Sequence, residues 1–182
     1  MLKTEKEKML AGELYIATDK ELIKEREYAK TLVYEFNKTS PSEKMARKSI
    51  VKKLIETKGS AYIEPPFYCD YGYNIEVGES FYANHGCIIL DVCKVSIGDN
   101  VLLGPNVQIY TATHPLNPIE RLSGKEFGKE ISIGNNVWIG GGAIICPGVR
   151  IGDNSVIAAG SVVIKDMPDN VLAGGNPCKV IK

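Results

Sequence analysis

The second half of this chain repeats every six residues, and few folds tolerate that period. In one phase the aliphatic positions are Ile97, Leu103 and Ile109, then Ile133, Ile139, Ile145, Ile151, Ile157 and Val163. Glycine follows directly at Gly98, Gly104, Gly134, Gly140 and Gly152. Four residues after each aliphatic position stands a small or β-branched residue, as at Val101, Val107, Val137, Ala143, Val149, Ser155 and Ser161. An earlier stretch keeps the period at Val77, Ala83 and Ile89, then slips by two residues before Ile97. Sandwich strands alternate with period two and do not hold a strict six. The spacing therefore predicts a parallel β-helix, in which each hexad is a short strand and a turn. The aliphatic side chain points inward and the neighbouring glycine lets the backbone bend. With three hexads to a coil, Ile133 stacks on Ile151, Ile139 on Ile157 and Ile145 on Val163, at the strand spacing of about 4.8 Å.

The first 60 residues have another character, and the chain divides into a helical segment at 1–60 and repeats at 61–182, the latter ending in a short tail. Thr18 to Glu21 fits a capping box, as does Ser40 to Glu43 with Pro41 at the first helical position. Leu22, Arg26, Ala29, Val33 and Phe36 fall at helical spacing, and Gly12 and Gly59 read as C-terminal stops. Between Ile109 and Ile133 the hexad fails. His114 to Glu130 holds Pro115, Pro118, Gly124, Gly128 and six charged residues, a composition that cannot fill a core or a strand ladder. It predicts a loop extruded at 114–130, and a long loop on a rigid scaffold is where function concentrates.

Composition excludes several classes. Basic and acidic residues balance at 22 each, so neither nucleic acid nor a membrane surface is an expected partner. Met1 to Gly12 is rich in Lys and Glu and carries no apolar run of signal-peptide length, which points to a cytoplasmic protein. The five cysteines lack CxxC spacing, so neither a disulfide framework nor a zinc ribbon is expected. Cys87 and Cys93 hold small positions of successive hexads and are expected in different walls of one coil.

The chain resembles the maltose and galactoside O-acetyltransferases over essentially its full length. The resemblance rests on residues 4–15 (TEKEKMLAGELY), 69–75 (CDYGYNI), 110–115 (YTATHP), 133–140 (IGNNVWIG) and 174–177 (GGNP). It implies a mainly β protein: a left-handed parallel β-helix with an N-terminal helical segment, assembled as a homotrimer. It also implies acetyl-CoA bound in a groove between neighbouring subunits, a sugar acceptor and no metal. The family's catalytic His falls on His114 and its transition-state-stabilising Asn on Asn84. Acceptor-binding positions fall on Asp70, on Asp91 beside Val92, and on Asp19. Positions that contact coenzyme A fall on Gly141, Ala159, Ile164, Lys165, Lys179 and Lys182. Relatives carry Arg near the C-terminus and Phe where this chain has His85.

The chemistry of the residues agrees with that reading. A hydroxyl is a poor nucleophile until a base takes its proton, and imidazole titrates close to neutral pH. Attack on a thioester builds an oxyanion that needs a donor such as an Asn amide. His85 is the rival base, and its alternative is a pocket-lining or surface residue. Trp138 reads equally as a coenzyme A contact or as packing at a subunit interface. Gly140-Gly141-Gly142 reads as a turn whose missing side chains let a ligand approach. No Cys or Ser lies beside a His as an activated nucleophile would, so acetyl transfer is expected to be direct. The same fold could instead acetylate an antibiotic or serine, or serve as a non-catalytic scaffold. A zinc-dependent β-helix anhydrase needs more His than the two present.

Overall fold

A computed structural model describes residues 2–182. The repeat folds as its period demands, into coils of three short strands stacked in parallel ladders. One ladder joins Glu56–Thr57, Ile75–Val77, Val95–Ile97, Ile131–Ile133 and Arg150–Ile151. Its outward side chains Glu56, Glu76, Ser96, Ser132 and Arg150 make a polar face. The second ladder runs from Ala61–Ile63 and Phe81–Ala83 through Leu102–Leu103, Trp138–Ile139 and Val156–Ile157 to Leu172–Gly174 and Lys179–Val180. Tyr62, Tyr82, Leu102, Trp138, Val156 and Leu172 line up outward on it as an aromatic face. The third ladder joins Phe67–Cys69, Cys87–Leu90, Gln108–Tyr110, Ile144–Ile145 and Val162–Val163. Tyr68, Ile88, Gln108, Ile144 and Val162 give it an aliphatic face.

The stacking expected from the hexads is present: Ile133 pairs with Ile151, Ile139 with Ile157 and Ile145 with Val163. The inward residues form one continuous buried core. Glycine is required where coils touch. A Cβ on Gly104 would stand 2.5 Å from the Gly141 nitrogen, and one on Gly140 2.5 Å from that of Ala159. Asn100, Asn136, Asn154 and Asn170 take left-handed conformations at one corner, and their amides bond each to the next up the stack.

The helical segment closes the first coil. Helix α1 (Glu5–Leu10) begins in a full capping box between Thr4 and Glu7, and Gly12, at φ 69°, ends it. Helix α2 (Lys20–Asn37) starts one residue later than the Thr18 box predicts, because Asp19 caps it. The Ser40 box closes only in part. Glu43 takes the Ser40 N–H at 2.7 Å, but the Ser40 hydroxyl turns to Ser42 and the helix, α3 (Lys44–Leu54), begins only after Glu43. Gly59 ends no helix; it lies beyond Glu56–Thr57, which already belongs to the first coil. Ala29, Val33, Phe36, Val51 and Leu54 join the coil core. Asn37 both donates to and accepts from the backbone of Phe67, which satisfies the edge of the lowest strand.

The loop at 114–130 does leave the coil, yet it is ordered. Ala112–Thr113 pairs antiparallel with Phe127 and Gly128, and Glu126 and Lys125 pair with Tyr15 and Ile16. Helix α4 (Pro118–Arg121) crosses its tip, capped by Asn117. Cys93 departs from expectation. It is buried, but outside the coil, against the Met9 carbonyl and Gly128, because the slip after Ile89 displaces it from the wall. The five cysteines are free, and burial pushes the Cys87 and Cys93 thiols up to about 11. Among the described residues no helix is long and apolar enough to cross a membrane.

Candidate active site

The two-residue slip marks the functional corner. Inward residues are eight apart, not six, from Cys69 to Val77 and again from Ile89 to Ile97. Both excesses fall where the chain turns from the aliphatic to the polar face. The extra residues interrupt the wall of the coil, at Asp70 to Asn74 in one coil and at Asp91 to Lys94 in the next. The loop after Tyr110 leaves from the same corner one coil higher, so Asp70, Asp91 and His114 stand in one column.

His114 is exposed, and its Nε2 lies 4.0 Å from Glu126 Oε2. Glu126 Oε1 accepts the phenol of Tyr15, a side chain with no exposed surface. Burial, then the Glu126 bond, holds that phenol far above its ordinary titration range, so it stays a donor. Arg26 reaches from α2 to donate to the Tyr71 hydroxyl and to the Ala17 carbonyl, each at 2.5 Å. Asp70 is largely buried, and its carboxylate has no hydrogen-bond partner among the described residues. Burial raises its pKa, Arg26 opposes the rise and Glu126 adds to it.

Asp91 does not meet the cleft. It is fully buried, and its carboxylate accepts the N–H groups of Asp70 at 3.0 Å, Tyr71 at 2.9 Å and Asn74 at 3.3 Å. Burial outweighs those bonds and pushes it up to about 7. Instead of binding the acceptor it shapes the turn that presents Asp70. Asp91→Ala should lower unfolding stability by about 3 kcal/mol, since it orphans three donors. Asp91→Asn should recover most of this, because one amide oxygen can keep two of the bonds. Equal chemical-denaturation midpoints for Asp91→Ala and the wild type would contradict this role. Asp19 likewise has a structural duty. As the cap of α2 it accepts from Glu21 and Leu22.

Asn84 stands at another corner, between the aromatic and aliphatic faces. Its Oδ1 accepts the His85 N–H at 2.8 Å, which leaves the amide NH₂ as an outward donor. His85 Nδ1 lies 2.5 Å from the Pro65 carbonyl in the coil below. A carbonyl only accepts, so Nδ1 carries the proton and the ring leans away from the coils above. Gly141 and Ala159 stack above Asn84 on this corner, and Lys179 pairs beside Gly174 at its top. Lys182 lies beside Leu172, on the last rung of the aromatic face. Ile164 and Lys165 follow Val163 on the corner that carries His114. The candidate residues thus divide between two edges of the aliphatic face. The strand from Val107 to Thr111 and its flanks separate Asn84 from His114 by about 15 Å, at roughly 3.3 Å per residue.

Known proteins match in the same places. Residues 8–59 match the maltose acetyltransferase hexapeptide capping motif, and residues 130–165 the bacterial transferase hexapeptide (six repeats). The chain is 49% identical to galactoside O-acetyltransferase of Escherichia coli K12, over 97% of this chain and 87% of that protein. This chain belongs to the maltose and galactoside O-acetyltransferase family. Within that family its fold is shared end to end. A maltose O-acetyltransferase from Clostridium difficile 630 is 58% identical, with a TM-score of 0.98 over 99% of this chain and 97% of that one. A galactoside acetyltransferase solved in complex with coenzyme A is 46% identical, with a TM-score of 0.96 over 100% of this chain and 91% of that one. Tyr15, Arg26, Tyr71 and Glu126 are neighbours of the candidate site that sequence reasoning missed. Tyr15 and Tyr71 lie inside the motifs that carry the resemblance, but nothing in the spacing shows that residues 15 and 126 meet.

Proposed function

We propose that this protein transfers the acetyl group of acetyl-CoA directly to a sugar hydroxyl, with His114 as base and Asn84 of a neighbouring copy as oxyanion donor. The observation that carries this reading is the division of the site residues between two corners. One chain cannot bring His114 and Asn84 to the same reacting atoms, but two copies can. Two of the three faces are apolar outward, with Trp138 55% and Leu102 47% exposed. On the loop Leu116, Ile119 and Leu122 are more exposed still. Such surfaces call for cover. Contact between unlike faces closes into a ring, and the family resemblance supports three copies. Trp138 then serves at least as interface packing.

In such a groove His114 Nε2 takes the hydroxyl proton as the oxygen attacks the thioester carbonyl carbon. The Asn84 amide donates to the oxyanion that forms. His114 then returns the proton to the departing sulfur, so the products are an O-acetyl ester and a thiol. The open Gly141–Gly142 turn, where a Cβ on Gly142 would meet nothing, leaves room for a pantetheine arm. Lys165, Lys179 and Lys182 are exposed cations suited to its phosphates. The cytoplasm, where acetyl-CoA is available and thiols stay reduced, suits this chemistry.

Initial rates against acetyl-CoA and a panel of glucosides, galactosides, maltose, serine and streptogramins test the reading. Intersecting double-reciprocal lines with a sugar are expected. Ping-pong kinetics, an acetylated chain seen by mass spectrometry, or turnover with serine or streptogramins alone would refute it.

A further inference from the structure

We propose that Glu126, aimed by Tyr15, selects the acceptor by taking a hydrogen bond from the hydroxyl next to the one that is acetylated. The inference rests on the reading above and names what that site recognises.

Proton counting requires two hydroxyls. His114 as base must accept from the reacting hydroxyl, and the Glu126 carboxylate can only accept. A hydroxyl has one proton, so it cannot satisfy both groups. Their separation of 4.0 Å is too long for a bond between them. It suits two neighbouring ring hydroxyls, each making its own bond of about 2.8 Å. Tyr15 settles which oxygen is free. Its buried phenol donates to Oε1, and Oε2 is the atom that faces His114. The Tyr15 backbone is fixed as well, since Tyr15 pairs with Glu126 across an antiparallel ladder. Asp70 adds a further acceptor without a hydrogen-bond partner among the described residues, close enough to Glu126 for the two charges to interact. Toward a hydroxyl Nε2, Oε2 and the Asp70 carboxylate all act as acceptors, so the group is short of donors. A ring bearing adjacent hydroxyls supplies them, whereas a phenol or an isolated alcohol does not.

Tyr15 is a positioning residue in this scheme and Glu126 a binding one. The test compares methyl glucoside, methyl galactoside and their monodeoxy derivatives at saturating acetyl-CoA. The wild type should lose about 10- to 100-fold in kcat/KM on removal of one particular neighbouring hydroxyl. Glu126→Gln keeps the Tyr15 bond but turns an NH₂ toward His114. It should lower kcat/KM for the parent glycoside by a similar factor, leave the acetyl-CoA KM within about twofold and abolish the penalty at that one position. Glu126→Met, which keeps the volume, should do the same. Tyr15→Phe should cost several-fold alone and add nothing in the Glu126→Gln background. Thermal melts identify any variant that misfolds. Unchanged ranking of the monodeoxy derivatives in folded Glu126→Gln and Glu126→Met would overturn the inference while leaving His114 as base. A wild type that acetylates no glycoside, or a His114→Ala variant with normal turnover, would overturn the underlying reading and this inference with it.

Discussion

Trimers assembled from equal amounts of His114→Ala and Asn84→Ala chains should turn over at about a quarter of the wild-type rate, although neither variant does so alone. Loss of a general base costs about 10²- to 10⁴-fold, and loss of an oxyanion donor about 10²- to 10³-fold. Each pure variant is therefore nearly silent. In the ring proposed above, each site of a mixed assembly draws His114 from one copy and Asn84 from the next. A site is intact when the first copy is the Asn84 variant and the second the His114 variant, which random mixing gives at about one site in four. If both residues came from one chain, no mixture would recover activity. Co-expression with two affinity tags, then assay of the doubly tagged species, which excludes the silent pure trimers and should show about a third of the wild-type rate, separates the two outcomes. His85→Phe serves as control: its ring is tied to Pro65, so the variant should cost little.

Leu102→Glu and Trp138→Glu should each yield folded monomers with kcat lower by about 10²-fold or more. Both side chains point outward on the aromatic face, in register with one another, and neither belongs to the coil core. A carboxylate there leaves the folded chain intact and faces water. In an assembled ring it would be buried without a partner, which costs several kcal/mol per charge at every interface. The monomer keeps His114 but loses the neighbour's Asn84, so the catalytic loss follows from assembly. Sedimentation velocity beside activity tests this. A trimer that forms normally with either substitution, or a monomer with undiminished kcat, would contradict the shared groove.

The coil was legible in the sequence because its cause is local and periodic. Each hexad repeats the same demand for an inward aliphatic and a tight turn, so Ile133, Ile139 and Ile145 announce their partners eighteen residues on. Helix starts were read less well. A capping box needs two reciprocal bonds, and the pattern at Ser40 cannot show that its hydroxyl prefers Ser42. The family motifs named His114 and Asn84 as candidates, and the slip before Ile97 was visible as a break in period.

Apolar spacing and glycine placement act between neighbours, so they dictate the coil, its stacking and the place where a loop must leave it. What surrounds His114 follows only from the closed coils. Tyr15 and Glu126 meet across 111 residues of chain, and Asp91 turns inward to hold the backbone of Asp70 to Asn74. The closed coils also set Asn84 and His114 on different corners. A carboxylate looks the same in sequence whether it faces a ligand or a buried N–H group, and burial and distance distinguish them only once the coils have closed.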